Sequence, residues 1–210
     1  MGAFLAVGRG SVHEPKFIHM KYQVDNPKKR IAIIGKGICF DSGGLDIKPA
    51  SSMATMKDDM SGAAAVLGIM SVIKEFHPQV EVHGIIAACE NMPGGKSYKP
   101  GDILTAKNGK TIEVDNTDAE GRLTLADALC YASELGVDEV IDMATLTGAC
   151  MVALGTQAAG IMGNDETLIK NLISTAERSG ERFWQLPLWE EYFEGLKSEV
   201  ADMKNSGNRW

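Results

Sequence analysis

The sequence predicts an α/β fold with a mostly parallel or mixed central sheet and helices on both of its faces, in three layers. Short apolar runs alternate along the chain with segments of helical spacing, which is typical of buried strands connected by helices. The 210 residues are 44% hydrophobic, which is enough for a substantial core. No run of about 18 apolar residues occurs, so no membrane span is expected.

The spacing of apolar residues assigns the strands and helices of the first half. Residues 17–24 alternate in polarity, which predicts a half-exposed strand at a sheet edge. The β-branched run 31–34 predicts a strand covered on both faces, and residues 80–88 predict another. Helical spacing after Ser61 predicts a helix that ends near Pro78.

The alternation continues through the second half of the chain. Asn108-Gly109 between two apolar runs predicts a β-hairpin. The next helix is expected to end at Gly136, because glycine commonly terminates helices. A buried strand is predicted at residues 139–143, a further strand at 158–162 and a closing helix at 168–176.

Charge and cysteine content exclude several classes of protein. A net charge of −7 without a Lys/Arg-rich face argues against nucleic acid as the main partner. The four cysteines are widely spaced, which indicates reduced, buried thiols in a cytosolic protein, without a disulfide framework or a zinc cage. The opening apolar run has no basic segment before it and does not resemble a signal peptide.

The segment 116–122, Asn-Thr-Asp-Ala-Glu-Gly-Arg, carries two carboxylates and a guanidinium, and we call it the heptad. In an extended segment Asp118 and Glu120 project to the same side and could bind one divalent cation. Arg122 falls in the first turn of a helix, where the helix dipole disfavours a cation. Taken alone, the heptad fits a second interpretation equally well, in which the aspartate caps the helix, the glutamate lies in its first turn and the arginine is on the surface.

Other charged residues lie at the ends of predicted strands and helices. Lys36 stands between two glycines after a buried strand, and Asp41 precedes a Ser-Gly-Gly turn. One interpretation is a loop in which Lys36 pairs with Asp41 and Lys48 is solvated. Of the adjacent Asp58 and Asp59, one is expected to cap the following helix and the other to face a ligand.

These junctions gather along one edge of an open α/β sheet, so their carboxylates are expected to lie close together. Carboxylates that repel one another could be held by two divalent ions with one bridging ligand. Lys36 could join them only as a neutral amine, which requires a pKa far below its usual value. The four carboxylates are Asp41, Asp59, Asp118 and Glu120.

The runs GKGICFDSGG, MKDDMSGAA and NTDAEGRLTLADAL resemble, in this order, the catalytic domain of the leucyl aminopeptidases, which are cytosolic two-metal peptidases. The resemblance covers essentially the whole chain. It implies one ion held by Asp41, Asp118 and Glu120. It implies a second ion held by Lys36, Asp41, Asp59 and Glu120, so that Asp41 and Glu120 bridge the pair.

The same resemblance implies the remaining roles in the site. Lys48 and Arg122 would be catalytic, with Arg122 holding a bicarbonate that acts as general base. Met56, Thr145 and Gly148 would line the pocket for the N-terminal side chain. The ions would be Zn²⁺ or Mn²⁺, with Mg²⁺ or Co²⁺ as further candidates, and the nucleophile a hydroxide bridging them. The substrates would be peptides with a free N-terminus, with a preference for leucine.

The resemblance further implies that residues 1–210 are a catalytic domain truncated at both ends. Family members carry an N-terminal domain and a segment beyond Trp210 that completes the pocket. They are cytoplasmic and assemble as homohexamers.

Three alternatives remain open. They are a two-metal phosphoesterase, an accessory DNA-binding role as in some bacterial relatives, and a metal-free interaction fragment. A phosphoesterase would normally use histidine ligands, and all four histidines lie outside the three motifs.

Overall fold

The computed structural model describes residues 1–207, which form two compact units. The first unit comprises residues 1–146 together with the C-terminal residues from 196 onward, and the second comprises residues 147–195. All predicted carboxylate ligands belong to the first unit.

Strands and helices alternate as the sequence predicts. The strands are β1 (Lys16–Tyr22), β2 (Arg30–Asp41), β3 (Glu81–Asn91), β4 (Ile103–Thr105), β5 (Thr111–Glu113), β6 (Glu139–Met143), β7 (Ala159–Ile161), β8 (Phe183–Gln185) and β9 (Met203–Lys204). The helices are α1 (Gly2–Val7), α2 (Ala50–Met53), α3 (Ser61–Phe76), α4 (Gly121–Glu134), α5 (Gly148–Leu154) and α6 (Glu166–Ser179). Three 3-10 segments lie at Gly8–Gly10, Met56–Asp58 and Glu190–Leu196.

The main sheet has the strand order β1-β3-β2-β6. Strands β3, β2 and β6 are parallel, and β1 runs antiparallel to β3 at one edge. The predicted edge strand and the mixed sheet are therefore confirmed. The predicted hairpin is confirmed as β4 and β5, which pair antiparallel, and β9 adds to β5 in a small second sheet.

Helices cover both faces of the main sheet, as predicted. Along β2 the side chains alternate, so that Ala32 and Ile34 pack with Leu125 of α4. Ile33, on the opposite face, packs in a cluster with Val66 of α3. Because side chains of a strand point alternately to its two faces, this division confirms the three-layer arrangement.

The opening apolar run forms α1, a helix that sequence patterning did not reveal because six residues are too few to show a period. Phe4 and Val7 of this helix are buried in the core cluster that includes Leu123 of α4. Asp127 of α4, which is fully buried, accepts hydrogen bonds from the backbone nitrogens of Phe4 at 3.0 Å and Lys107 at 2.7 Å. This carboxylate therefore connects the N-terminus to the segment after β4.

Replacing Asp127 with alanine is expected to lower the free energy of unfolding by about 2–3 kcal/mol, since two backbone N–H groups lose their acceptor. Urea denaturation measures the loss. Ser133→Ala, at an exposed position of the same helix, should change stability by less than about 0.5 kcal/mol. Equal stability of the Asp127→Ala variant and the wild type would contradict this account of α1.

Strand β2 differs from its prediction by continuing through the glycine-rich segment to Asp41. Its backbone keeps pairing with β3 as far as Asn91, with an irregularity between Ile38 and Phe40. The glycines had indicated a loop, but pairing with β3 holds them extended. The expectation that one of Asp58 and Asp59 caps the following helix is also wrong, because Met60 is the N-cap of α3 and makes no side-chain capping bond.

The second unit contains α5, β7, α6 and β8, with β7 and β8 parallel. The helix predicted at 168–176 is confirmed as α6, and Asp165 caps it by accepting from the nitrogens of Thr167 and Leu168. Helix α5 and strands β8 and β9 were not predicted because each is short. Within residues 1–207, no helix has the length and apolar character needed to cross a membrane.

Candidate metal centre

Five predicted ligands converge at the end of the main sheet. Lys36 lies within β2, and Asp41 is the last residue of that strand. Asp59 lies between the second 3-10 segment and the start of α3. Asp118 and Glu120 come immediately before α4. Lys36, Asp41, Asp59 and Glu120 are each at most 4% exposed, so most of the cluster is removed from water.

Lys36 contacts two of the carboxylates. Its Nζ lies 2.8 Å from Asp59 Oδ2 and 2.8 Å from Glu120 Oε1. It also donates a hydrogen bond to the backbone oxygen of Thr145 at 3.1 Å. The alternative in which Lys36 pairs with Asp41 in a loop is therefore wrong.

Lys48 contacts the other two carboxylates. Its Nζ lies 2.6 Å from Asp118 Oδ1 and 3.1 Å from Asp41 Oδ2. The alternative in which Lys48 is solvated is also wrong, since only 15% of its side chain is exposed. Each lysine thus bridges a different pair of carboxylates.

Three carboxylates come close enough to bind one cation. Asp41, Asp118 and Glu120 each offer an oxygen, and these oxygens all lie within 4.8 Å of one another. Two ligands of one divalent ion, each about 2.0–2.6 Å from it, have separations in this range. Glu120 Oε2 is buried and has no hydrogen-bond partner among the described residues. A buried carboxylate oxygen without a partner fits a cation ligand, because leaving it unpaired is otherwise costly.

The balance of charge in the cluster also fits cation binding. Burial raises the pKa of Asp59 and Asp118, and it raises the pKa of Glu120 to about 7. Two lysines are too few to offset four carboxylates, and divalent cations would remove this imbalance.

The charge state of Lys36 depends on its neighbours. Burial lowers the pKa of Lys36, but Glu120 and Asp59 outweigh burial and hold it above its usual value. The protein's own groups therefore keep Lys36 as an ammonium. Ligation by its neutral amine would require bound cations to reverse that shift.

Three glycines allow Lys36 and the neighbouring backbone segments to pack closely together. A Cβ on Gly121 would lie 2.6 Å from Lys36 Cε, and one on Gly62 would lie 2.0 Å from the backbone oxygen of Met143. A Cβ on Gly35 would lie 2.5 Å from the Gly62 oxygen. None of these glycines has a positive φ, so their role is close packing.

Several positioning contacts were missed by sequence reasoning. Asn91 donates to Asp41, and both Asn91 and Tyr98 donate to the backbone oxygen of Thr117. Asp46 accepts from the backbone nitrogen of Thr117 at 2.7 Å. Asn205 donates to the heptad backbone at 2.6 Å. Residues 90–102, for which the sequence indicated no role, thus help to hold the heptad. Sequence offers no signal for these contacts, since they join distant segments.

The other predicted site residues are less closely connected to the cluster. Thr145 Oγ1 donates to Asp59 Oδ1 at 2.8 Å, and Met56 is half-buried in the 3-10 segment before Asp59. Arg122 is exposed on α4, and no hydrogen bond or ion pair was found for it within residues 1–207. Gly148 begins α5 in the second unit. The pocket and bicarbonate roles stay predictions.

The histidines take no part in the cluster. His19 and His83 lie on β1 and β3 and hydrogen-bond to each other at 2.8 Å, and His83 also pairs with Glu81. Within the described part of the chain, no hydrogen bond or ion pair connects a histidine to the four carboxylates. The phosphoesterase alternative, which normally needs histidine ligands, gains no support.

A family sequence profile and individual relatives place the chain in the same protein family. Residues 1–210 match the sequence profile of the cytosol aminopeptidase family, catalytic domain. The chain is 61% identical over its whole length to a probable cytosol aminopeptidase of Gloeobacter violaceus, and covers 42% of that protein. It is also 61% identical to a protein of the same description from Persephonella marina, with 99% of the chain aligned to 42% of that protein. The chain therefore belongs to the cytosol aminopeptidase family and carries the sequence of its catalytic domain.

Proposed function

We propose that this chain supplies the metal centre of an aminopeptidase that releases N-terminal residues, preferentially leucine, from peptides. The observation that carries the proposal is that oxygens of Asp41, Asp118 and Glu120 lie within 4.8 Å of one another. Asp41 and Glu120 are buried, and one Glu120 oxygen has no hydrogen-bond partner among the described residues. The chain spans about 42% of the length of the relatives it matches, so activity, substrate and assembly of the whole protein are part of the proposal.

Two divalent ions, Zn²⁺ or Mn²⁺, would be bound by the cluster. When bound, the ions would lower the pKa of water and polarise the peptide carbonyl. One ion would be held by Asp41, Asp118 and Glu120. The other would be held by Lys36, Asp41, Asp59 and Glu120, which agrees with the contacts of Lys36 to Asp59 and Glu120.

The chain's own cations have separate proposed roles. Burial lowers the pKa of Lys48, but Asp118 and Asp41 outweigh burial and raise it, so its side chain stays an ammonium. An ammonium beside the reacting carbonyl would stabilise the developing oxyanion. Arg122 lies on α4, two residues after Glu120, and burial lowers the pKa of its guanidinium, whose paired donors match a planar anion such as bicarbonate.

The proposal extends to substrates, location and assembly. Met56 and Thr145 of the first unit would line the pocket for the N-terminal side chain, with Met56 as an adaptable apolar wall. Peptides with a free N-terminus in the cytoplasm would be the substrates, and the full-length protein would be a homohexamer. A DNA-binding role is disfavoured by the net charge of −7.

Metal content tests the proposal directly. Titration calorimetry of the 210-residue chain with Zn²⁺ or Mn²⁺ should give two ions per chain. Anomalous scattering from crystals grown with either metal should place both ions among the four carboxylates. Absence of ions from this cluster would contradict the metal centre. Hydrolysis of a nitrophenyl phosphate in place of a leucyl anilide would favour the phosphoesterase alternative.

Replacing Lys48 with alanine is expected to leave two ions per chain, with affinity equal to or tighter than that of the wild type. Lys48 contacts Asp41 and Asp118, so its ammonium competes with cations for these oxygens. Where peptidase activity is measurable, turnover should fall. Lys57→Ala, at an exposed lysine near the site, is the control. Loss of an ion from the Lys48 variant would mean that the roles of Lys36 and Lys48 are exchanged.

A further inference from the structure

Asn91 lies beside Asp41 at the end of the main sheet. The two are paired neighbours, as the last residues of the parallel strands β3 and β2. Asn91 is fully buried, and its backbone oxygen accepts from both the nitrogen and the hydroxyl of Ser42, at 3.0 Å and 2.7 Å. The backbone around the Asn91 side chain is therefore held in place.

The Asn91 side chain connects two parts of the site. Its Nδ2 donates to Asp41 Oδ1 at 2.8 Å and to the backbone oxygen of Thr117, the residue before Asp118, at 3.0 Å. Its own Oδ1 is buried without a hydrogen-bond partner within residues 1–207. The Asn91 side chain is thus held only by the two hydrogen bonds that its amide N–H groups donate. Its amide oxygen forgoes a hydrogen bond so that both N–H groups can point at Asp41 and the Thr117 oxygen.

The donors differentiate the two oxygens of Asp41. Oδ1 accepts from Asn91 Nδ2 and also from the backbone nitrogen of Gly43 at 2.9 Å. Among the described residues, Oδ2 accepts from no amide or backbone N–H group, and its contact is with the Lys48 ammonium, whose Nζ lies 3.1 Å away. Oδ2 is therefore the oxygen that remains for cations.

We propose that Asn91 is a positioning residue of the metal centre, which fixes Asp41 so that only Oδ2 is presented to cations and ties that orientation to the heptad. The inference rests on the proposed function, since it assumes that the carboxylate cluster binds divalent ions. A neutral amide suits this place, because a carboxylate at position 91 would repel Asp41. Hydrogen bonds from outer residues that orient metal ligands typically account for about 10–100-fold in metal affinity.

Calorimetric titration of the 210-residue chain with Mn²⁺ tests the proposal. Asn91→Ala should weaken Mn²⁺ binding about 10–100-fold. Asn91→Ser gives the same test in a more conservative variant if the alanine variant is poorly folded in EDTA. Tyr98→Phe separates the two contacts, because Tyr98 donates to the same Thr117 oxygen at 2.5 Å but has no hydrogen bond to Asp41. Tyr98→Phe should weaken Mn²⁺ binding by less than about threefold, which is smaller than the effect of losing a hydrogen bond that orients a metal ligand.

The outcomes are distinguishable. Equal losses in the Asn91 and Tyr98 variants would show that Asn91 acts only through the heptad backbone, and would overturn the proposal. Unchanged affinity in the Asn91 variants would overturn it as well. Absence of Mn²⁺ binding in the wild type would instead reject the proposed function. A crystal of the wild-type chain with Mn²⁺ should show Asp41 contacting the ions through Oδ2 alone, and contacts through both oxygens would overturn the inference without any variant.

Discussion

Replacing Glu120 with glutamine is expected to abolish tight binding of both divalent ions, with a loss of more than about 100-fold in affinity. Glu120 is 1% exposed, one of its oxygens contacts Lys36, and the other has no hydrogen-bond partner within residues 1–207. As the proposed bridge it would offer one charged oxygen to each ion. Glutamine keeps the shape but supplies only a neutral oxygen and an N–H₂ group. The number of Zn²⁺ ions bound per chain, measured by calorimetry, should therefore fall from two to none.

A stability measurement separates ligand loss from misfolding in the Glu120 variant. In EDTA, Glu120→Gln should unfold at or above the urea concentration of the wild type, because it removes a buried carboxylate whose pKa burial raises to about 7. Glu134→Gln, at an exposed position at the end of the same helix, should bind two ions normally. Retention of both ions by the Glu120 variant would reject its bridging role.

Replacing Lys36 with methionine is expected to lower the free energy of unfolding in EDTA by about 3–5 kcal/mol at pH 8, since removing one partner of a buried ion pair leaves uncompensated charge. Lys36 is 3% exposed and contacts both Asp59 and Glu120 at 2.8 Å. The variant should also lose the ion that Lys36 is proposed to hold. Urea denaturation and calorimetry measure the two effects separately.

The pH dependence of the Lys36 variant has a definite sign. Burial raises the pKa of Asp59 and raises that of Glu120 to about 7, above their unfolded values. Stability from such carboxyl groups is present at low pH, where they are protonated, and is lost as pH rises through the folded pKa. The variant should therefore be less destabilised at pH 5 than at pH 8. Lys99→Met, which breaks an exposed pair with Asp102, should change stability by less than about 1 kcal/mol. An equal effect for the two lysines would contradict the buried pairing.

Apolar spacing and turn residues were sufficient for most of the fold. The alternating polarity of β1 predicted its edge position, and the apolar run at residues 139–143 predicted strand β6. The predicted burial of β6 is wrong, because β6 forms the other edge of the main sheet and each of its five residues is at least partly exposed. Helix α1 and strand β9 could not be found this way, because both are short and depend on distant partners. The extension of β2 to Asp41 was missed for a related reason, since pairing with β3 overrides the preference of glycine for loops.

The sequence predicted which carboxylates form the cluster, but not which lysine contacts which carboxylate. Strand ends and the resemblance indicated which carboxylates should meet, and the structure brings them together. Sequence could not assign Lys36 to Asp59 and Glu120, or Lys48 to Asp41 and Asp118, because such pairing depends on side-chain geometry. The buried asparagines 91 and 205 were missed because a lone asparagine in a sequence indicates neither metal nor catalysis.

The close packing of Gly35, Gly62 and Gly121 has a consequence for mutational tolerance. A library of all substitutions should retain only glycine at these positions, although their φ angles would permit other residues, because an added methyl group would meet backbone or Lys36. At Gly68, in the middle of α3, an added methyl group would have no neighbour within 4 Å among the described residues, and φ is not positive. Alanine there should be enriched, since it raises helix stability by roughly 0.5–1 kcal/mol. Selection at these four glycines, none of which has a positive φ, would thus report local crowding rather than backbone conformation.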